Sequence, residues 1–169
     1  EHANDLYSLV AGKTKVDSVI ADIRDREMIA SVIREFRPDY IFHLAAQPLV
    51  LRSYREPLYT FEVNVNGTAN VLEALRGADH PCTVVIITTD KVYENNENGQ
   101  AYAESDKLGG YDPYSASKAA AEIVVSSYRN SFFNPLHVNK HGIAVASARA
   151  GNVIGGGDRS ENRIIPDIV

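Results

Sequence analysis

The chain has no tryptophan, one methionine and one cysteine among its 169 residues. A single thiol, Cys82, excludes an intrachain disulfide and any cysteine-based metal cluster, which fits a reducing, cytoplasmic setting. Its place at the head of an apolar run makes it a small core residue. His2, His80, His137 and His141 show no ligand spacing, and His43, inside a short apolar run, reads as a satisfied core histidine, so no metal is expected. No apolar run approaches the ~20 residues of a membrane span. Positive charge is in deficit: a net charge of −5 and a pI near 5.5 count against a nucleic-acid binder, which would need a basic face. With 44% hydrophobic and 23% charged residues, what remains is an ordinary globular chain long enough for one core. It shows no internal repeat, low-complexity tract or linker.

In chain order, residues 1–14 are polar and irregular. Val16 to Ile23 is β-branched and predicts a buried strand ending at Asp22-Ile23. Arg24 to Phe36 has Met28, Ile29, Val32, Ile33 and Phe36 at helical spacing, stopped by Arg37-Pro38-Asp39. Tyr40 to Leu44 is a short apolar strand with a small-residue exit. Pro57 opens a long helix to about Arg76, with Gly77 as its stop. Thr83 to Thr89 is a continuous apolar strand. Residues 90–113 form a polar loop of a length that is usually functional. Tyr114 to about Phe133 is an Ala-rich helix, and Ile143 to Arg149 a further strand before the glycines 155–157. Strand and helix alternate throughout, the pattern of an α/β fold with a parallel sheet wrapped on both faces.

The chemistry centres on Tyr114-Ser115-Ala116-Ser117-Lys118. A Tyr and a Lys four apart share one helix face, and an ammonium beside a phenol favours the phenolate, a general base. Nine tyrosines and six lysines give roughly a third of a chance match per such chain, so the pair proves little alone. Its company decides the matter, because in such sheets ligands sit at the carboxyl ends of the strands. Asp22-Ile23 offers an acceptor and an apolar contact for an adenine. Leu44-Ala45-Ala46-Gln47 lets a cofactor pass close to the backbone. Thr88-Thr89-Asp90-Lys91 and Arg149-Ala150-Gly151-Asn152 end the other two strands.

The motifs His43-Leu44-Ala45-Ala46, Asn64-Val65-x-Gly67-Thr68, Thr89-Asp90-Lys91, Tyr114-x3-Lys118 and Arg149-Ala150-Gly151-Asn152-Val153 resemble the extended short-chain dehydrogenase/reductases acting on nucleotide sugars. Residues 43–50, 88–93, 108–122, 149–158 and 163–167 are most similar to the subfamily of dehydratases acting on CDP-glucose. The resemblance implies a Rossmann-like doubly wound parallel sheet, incomplete at both ends. Residues 1–154 would belong to the NAD-binding domain, lacking its first strands and glycine-rich loop, and 155–169 would begin the sugar-nucleotide region. It further implies a homodimer through the helices near 57–76 and 114–133. Leu51 and Arg159 depart from the pattern, which usually has Arg and an aromatic there.

What the resemblance implies chemically is dehydration of CDP-glucose by an internal redox cycle. Tyr114 and Lys118 would take the C4 hydroxyl proton while NAD accepts the hydride, and Thr89 would bond the same oxygen. Asp90 would protonate the departing C6 hydroxyl. Lys91 stands where dTDP-glucose dehydratases carry a Glu that removes the C5 proton; it is either that base or an ion-pair partner of Asp90 or a loop carboxylate. Cofactor contacts would come from Asp22, Ile23, Leu44, Ala45, Ala46, Gln47, Asn64, Thr88, Tyr114, Lys118 and Arg149, and the choice of NAD over NADP comes from the resemblance. Thr89, Asn152, Arg159 and Arg163 are the substrate candidates. The alternatives are a dTDP- or GDP-linked dehydratase, a nucleotide-sugar 4-epimerase, and a non-catalytic NAD-binding module. In the doubly wound order 3-2-1-4-5-6 the strand at 16–21 would have no neighbour here. The isolated 169-residue chain is therefore expected to melt without a sharp cooperative transition and to turn over no substrate.

Overall fold

The computed structural model describes residues 16–97, 99–158, 160, 162, 167 and 168. Residues 21–151 form one compact unit, and the stretches on either side of it form a second; each is taken by itself.

The larger unit includes helix α1 (Arg26–Phe36), one of whose free N-terminal amides is met by the Asp25 side chain, accepting from Met28 N at 3.1 Å. Arg37 closes it in the left-handed region at φ 50°. Strand β1 (Tyr40–His43) follows, then a short helix α2 (Val50–Arg55). The expected long helix is one continuous rod of three pieces: α3 (Pro57–Phe61), a π-helical turn at Glu62–Asn66, and α4 (Gly67–Arg76). Strand β2 (Cys82–Thr89) leads through a 3-10 turn at Asp90–Val92 into the long loop. Helix α5 (Pro113–Ser131), a 3-10 turn and α6 (Val138–His141) precede strand β3 (Ile143–Ala150).

The three strands are parallel in the order β1-β2-β3, with Ile41 beside Val84 and Val84 beside Val145. This is a Rossmann-like sheet, and a parallel ladder forces each connection to cross over through helix. The register puts Ile41, Val84, Ile86, Ile143 and Val145 on one face. There they pack with Cys82, Ile33 of α1, Leu72 and Leu75 of α4, and Val125 of α5 into a single core. Cys82 is the small core residue expected, 3% exposed. The opposite face carries Tyr40 and Phe42, 69% and 64% exposed. β2 consequently alternates fully and partly buried residues, although its sequence is a continuous apolar run.

One expected element is absent. Val16 to Ile23 forms no strand, and Val19 and Ile20 are 61% and 88% exposed. β-branched composition favours a strand only where a ladder partner exists, and among the described residues none pairs with this stretch. Asp22 and Ile23 instead form a turn closed by Asp25 N donating to Asp22 O. Asn70 of α4 fixes that turn by donating to Ile23 O at 3.0 Å. Gly67 permits the approach, since a Cβ there would lie 2.7 Å from Ile23 Cγ2.

The long loop 90–112 is anchored at its base by a Tyr93–Leu108 bridge. It enters α5 through Gly110, whose φ of 140° favours glycine and whose added Cβ would lie 2.4 Å from Ala116 N. Gly99, at φ 69°, has open space. Gly99→Ala should therefore cost about 1 kcal/mol of backbone strain. Gly110→Ala adds a clash with a helix backbone and should cost upwards of about 3 kcal/mol. Urea unfolding of the two variants side by side, each in the protein at native length, measures the difference.

Candidate active site

The carboxyl ends of the strands converge on the first turns of α5. Asp112 caps that helix, accepting from Ser115 N at 3.0 Å, and Pro113 takes the first helical position, where its missing N–H costs nothing. Tyr114 and Lys118 stand one turn apart behind this cap. Lys118 is buried, and its ammonium donates to Ile87 O of β2 at 3.1 Å. That bond ties the α5 helix to the strand ending in Thr89. Burial pulls the Lys118 pKa down to about 8, with Glu122 opposing the shift. Thr89 is buried at the strand end, where its hydroxyl donates to Asp90 Oδ1 at 3.1 Å and accepts from Lys91 N at 3.3 Å. Gly151, just past β3, comes close to the same carboxylate: a Cβ there would be 3.5 Å from Asp90 Oδ2.

Asn64, on the π-helical turn, joins the β1 exit to this helix. Its Oδ1 accepts from Gln47 N at 2.8 Å, and its Nδ2 donates to Gln47 O at 3.2 Å and Ser117 Oγ at 2.8 Å. Ser117 Oγ in turn donates to Tyr114 O at 2.7 Å. Such turns displace one residue from the helical ladder and frequently mark functional sites. Gln47 is 3% exposed, with its amide occupied by Leu49 N, Leu49 O and Thr60 Oγ1. Gln47 and Asn64 therefore meet the site as buried scaffold, while Leu44 and Ala45 are exposed at the strand exit.

Of the other sequence candidates, Asp22 is exposed and held by the Arg24 guanidinium (Oδ2 to Nη2, 2.7 Å), which keeps its carboxyl down at about 2. Thr88 is buried and donates to Glu122. Arg149 donates to Glu122 Oε2, Tyr93 Oη and Glu104 O, each at 3.0 Å. Asn152 belongs to the second unit, and Arg159 and Arg163 lie outside the described residues. His43 is 6% exposed, with Nε2 3.1 Å from Thr68 Oγ1. The Thr68 proton goes to Asn64 O, so His43 donates from Nε2. Burial, and secondarily Lys118, push its pKa down to about 4. Among the described residues no group of His, Cys, Asp and Glu could hold a metal, and no helix is long and apolar enough to cross a membrane.

The residues missed in the sequence are Ser117, Tyr93 and Glu122. Glu122 carried a signal: it is an acid four residues after Lys118 and the lone charge in Ala119–Tyr128. Tyr93 stacks on Tyr102 (4.6 Å, 6°) and beneath Arg149, a contact across the loop that no local pattern announces.

A phenol and a buried ammonium stand on one helix, beside a strand-end hydroxyl and carboxylate. The family described as GDP-mannose 4,6 dehydratase matches residues 1–143, and the chain belongs to it, within the extended short-chain dehydrogenase/reductases. It is 49% identical over 164 residues to a CDP-glucose 4,6-dehydratase of Salmonella typhimurium, covering 97% of this chain and 46% of that protein. It is 36% identical over 129 residues to a CDP-paratose 2-epimerase of Salmonella typhi, covering 68% and 38%. The chain thus spans less than half the length of these relatives. Among solved structures, the dTDP-glucose 4,6-dehydratase DesIV of Streptomyces venezuelae, with NAD bound, superposes at a TM-score of 0.79. The two are 30% identical, with 94% of this chain and 45% of that one covered. A Thermus thermophilus UDP-glucose 4-epimerase in complex with NAD gives 0.70 at 34% identity, covering 84% and 43%.

The depressed His43 pKa has a stability consequence. The unfolded chain takes up a proton near pH 6.5 and the folded chain near 4, so stability falls as pH drops through that window, by up to about 3 kcal/mol. His43→Gln, which keeps a donor for Thr68, should flatten the acid slope between these values in urea unfolding of the native-length protein measured across pH.

Proposed function

We propose that the protein at its native length carries out NAD-dependent dehydration of CDP-glucose to CDP-4-dehydro-6-deoxyglucose. The observation that carries this reading is the Thr89-Asp90-Lys91 turn at the end of β2, gripped through Ile87 O by the Lys118 of the Tyr114 helix. An epimerase has no need of an acid and a base directly after that threonine. The 49% identity over 97% of the chain supports the CDP-linked sugar.

The residues present fit a dinucleotide. Exposed Leu44 and Ala45 leave the β1 exit open, the Asp22 carboxylate is ionised, and Lys118 spends one of its three donors on Ile87 O, leaving others for a ribose. NAD, when bound, supplies the hydride acceptor for C4 and the donor for C6. Tyr114 takes the C4 hydroxyl proton, and Lys118 balances the resulting phenolate. Thr89 donates to the C4 oxygen and orients it. Once C4 is a ketone, the C5 proton is acidic; Lys91 removes it, and Asp90 protonates the C6 hydroxyl, which leaves as water. Asn152, Arg159 and Arg163 hold the sugar nucleotide's phosphates, forked guanidinium groups being suited to that task.

The same reading assigns residues 1–154 to the NAD-binding domain and 155–169 to the start of the sugar-nucleotide region. It joins two subunits through the α3–α4 rod and α5 in a cytoplasmic homodimer, which would cover Leu58 and Ile123, 72% and 60% exposed. The native-length protein, loaded with NAD, should form an alkali-absorbing 4-keto product from CDP-glucose and not from dTDP-glucose. Tyr114→Phe should lower that rate by 100-fold or more, on the scale of about 10²–10⁴ for a lost general base. Product from dTDP-glucose moves the substrate assignment; product from neither points to an epimerase.

A further inference from the structure

Beneath the proposed catalytic residues lies a charged cluster to which that chemistry assigns no role. Glu122 is 5% exposed, the one fully buried carboxylate among the described residues. It accepts from Thr88 Oγ1 on β2, and on β3 from Ser147 Oγ at 2.9 Å and Arg149 Nη2 at 3.0 Å. Thr88 and Arg149 are register partners in the sheet, so the carboxylate straddles two strands just below their exits. Arg149 continues outward to Tyr93 Oη and Glu104 O and stacks on the Tyr93 ring at 4.9 Å, fastening the loop that runs between Lys91 and the α5 helix. One turn back along α5 sits Lys118, buried, with its ammonium on the neutral carbonyl of Ile87.

We propose that Glu122 is a positioning residue for this site: it is the buried counter-charge of the Lys118 ammonium and, through Arg149, the anchor of the loop that follows Lys91. A lysine as buried as this one loses its proton readily unless a negative charge lies near. The titratable and charged groups around it are Tyr114 and Glu122 on its own helix, His43 from β1, Asp90 from the β2 exit and Arg149 from β3. His43 is neutral, which leaves Glu122 as the buried attraction. Burial would raise the Glu122 carboxyl, but the bonds from Arg149, Thr88 and Ser147 outweigh it and hold it ionised. The assignment rests on the reading of Lys118 as the partner of Tyr114, but its first readout does not.

The test is NMR titration of the Lys118 side chain in lysine-labelled protein at native length, run in parallel with the pH profile of 4-keto sugar formation. In Glu122→Gln the Lys118 midpoint should fall by about one pH unit, and the alkaline limb of kcat should move down with it. In Arg149→Gln, which leaves Lys118 the nearest cation to Glu122, both should move up. Should the Glu122→Gln protein not fold, the Arg149→Gln variant decides by itself. Midpoints that stay put, with a rate lowered by the same factor at every pH, would overturn the proposal. Moving midpoints without a moving activity limb would uphold the counter-charge and count against the Tyr114–Lys118 mechanism, for which Tyr114→Phe is the separate check.

Discussion

The amide of Asn64 is the constraint on which the site depends. Helices on one face of a parallel sheet can slide along it at little cost, because apolar contacts have no direction. Asn64 removes that freedom. It satisfies both backbone groups of Gln47 and the hydroxyl of Ser117, and Ser117 passes the constraint to the carbonyl of Tyr114. A buried amide left without these partners would cost roughly 1–3 kcal/mol per group, so the arrangement is held in one register. The π-helical turn at Glu62–Asn66 is what brings this residue to that point: a regular helix would turn its position by a part-step away from the β1 exit.

Around this neutral framework the charges are arranged in depth. Deepest is Glu122, satisfied on several sides and paired with the half-buried Arg149. Above it is Lys118, bonded to a carbonyl. Nearest the strand exits are Thr89, Asp90 and Lys91, which share a compact turn. His43 contributes no charge, since its Nε2 proton is committed to Thr68. A buried ion pair is by itself weak support for stability. Here the pair spans β3, α5 and the loop at Tyr93, and so fixes their relative placement beside the strand exits.

Much of this is legible in the residues alone. α1, β2, α5 and β3 lie within a few residues of the bounds their patterns predict, because their apolar periodicity coincides with the face they bury: Ile33, Leu72 and Val84 are core residues on pattern alone. His43, expected as a satisfied core histidine, is one. Three things are not legible. The β-branched stretch at 16–23 has the composition of a strand but no ladder partner, and composition does not report partners. The π-helical turn is invisible because Glu62–Asn66 keeps helical spacing on both sides. The roles of Gln47, Thr88 and Arg149 as internal bond-makers depend on which way each side chain turns at a strand end, and polarity alone does not settle that direction.

That last ambiguity follows from the geometry of strand exits. Side chains alternate between faces along a strand, so of two neighbouring threonines one points toward one face of the sheet and the next toward the other. Thr88 takes the side of α5 and is spent on Glu122, while Thr89 begins the turn that exposes Asp90. The pair is thus divided by parity between the interior and the turn at the strand exit. The same parity places Arg149 on the α5 side with Thr88, where its guanidinium serves the Glu122 carboxylate and the loop. A residue at a strand end acts on a ligand only if the register leaves it facing outward, and in this sheet the register is set by β2, the strand bonded on both sides.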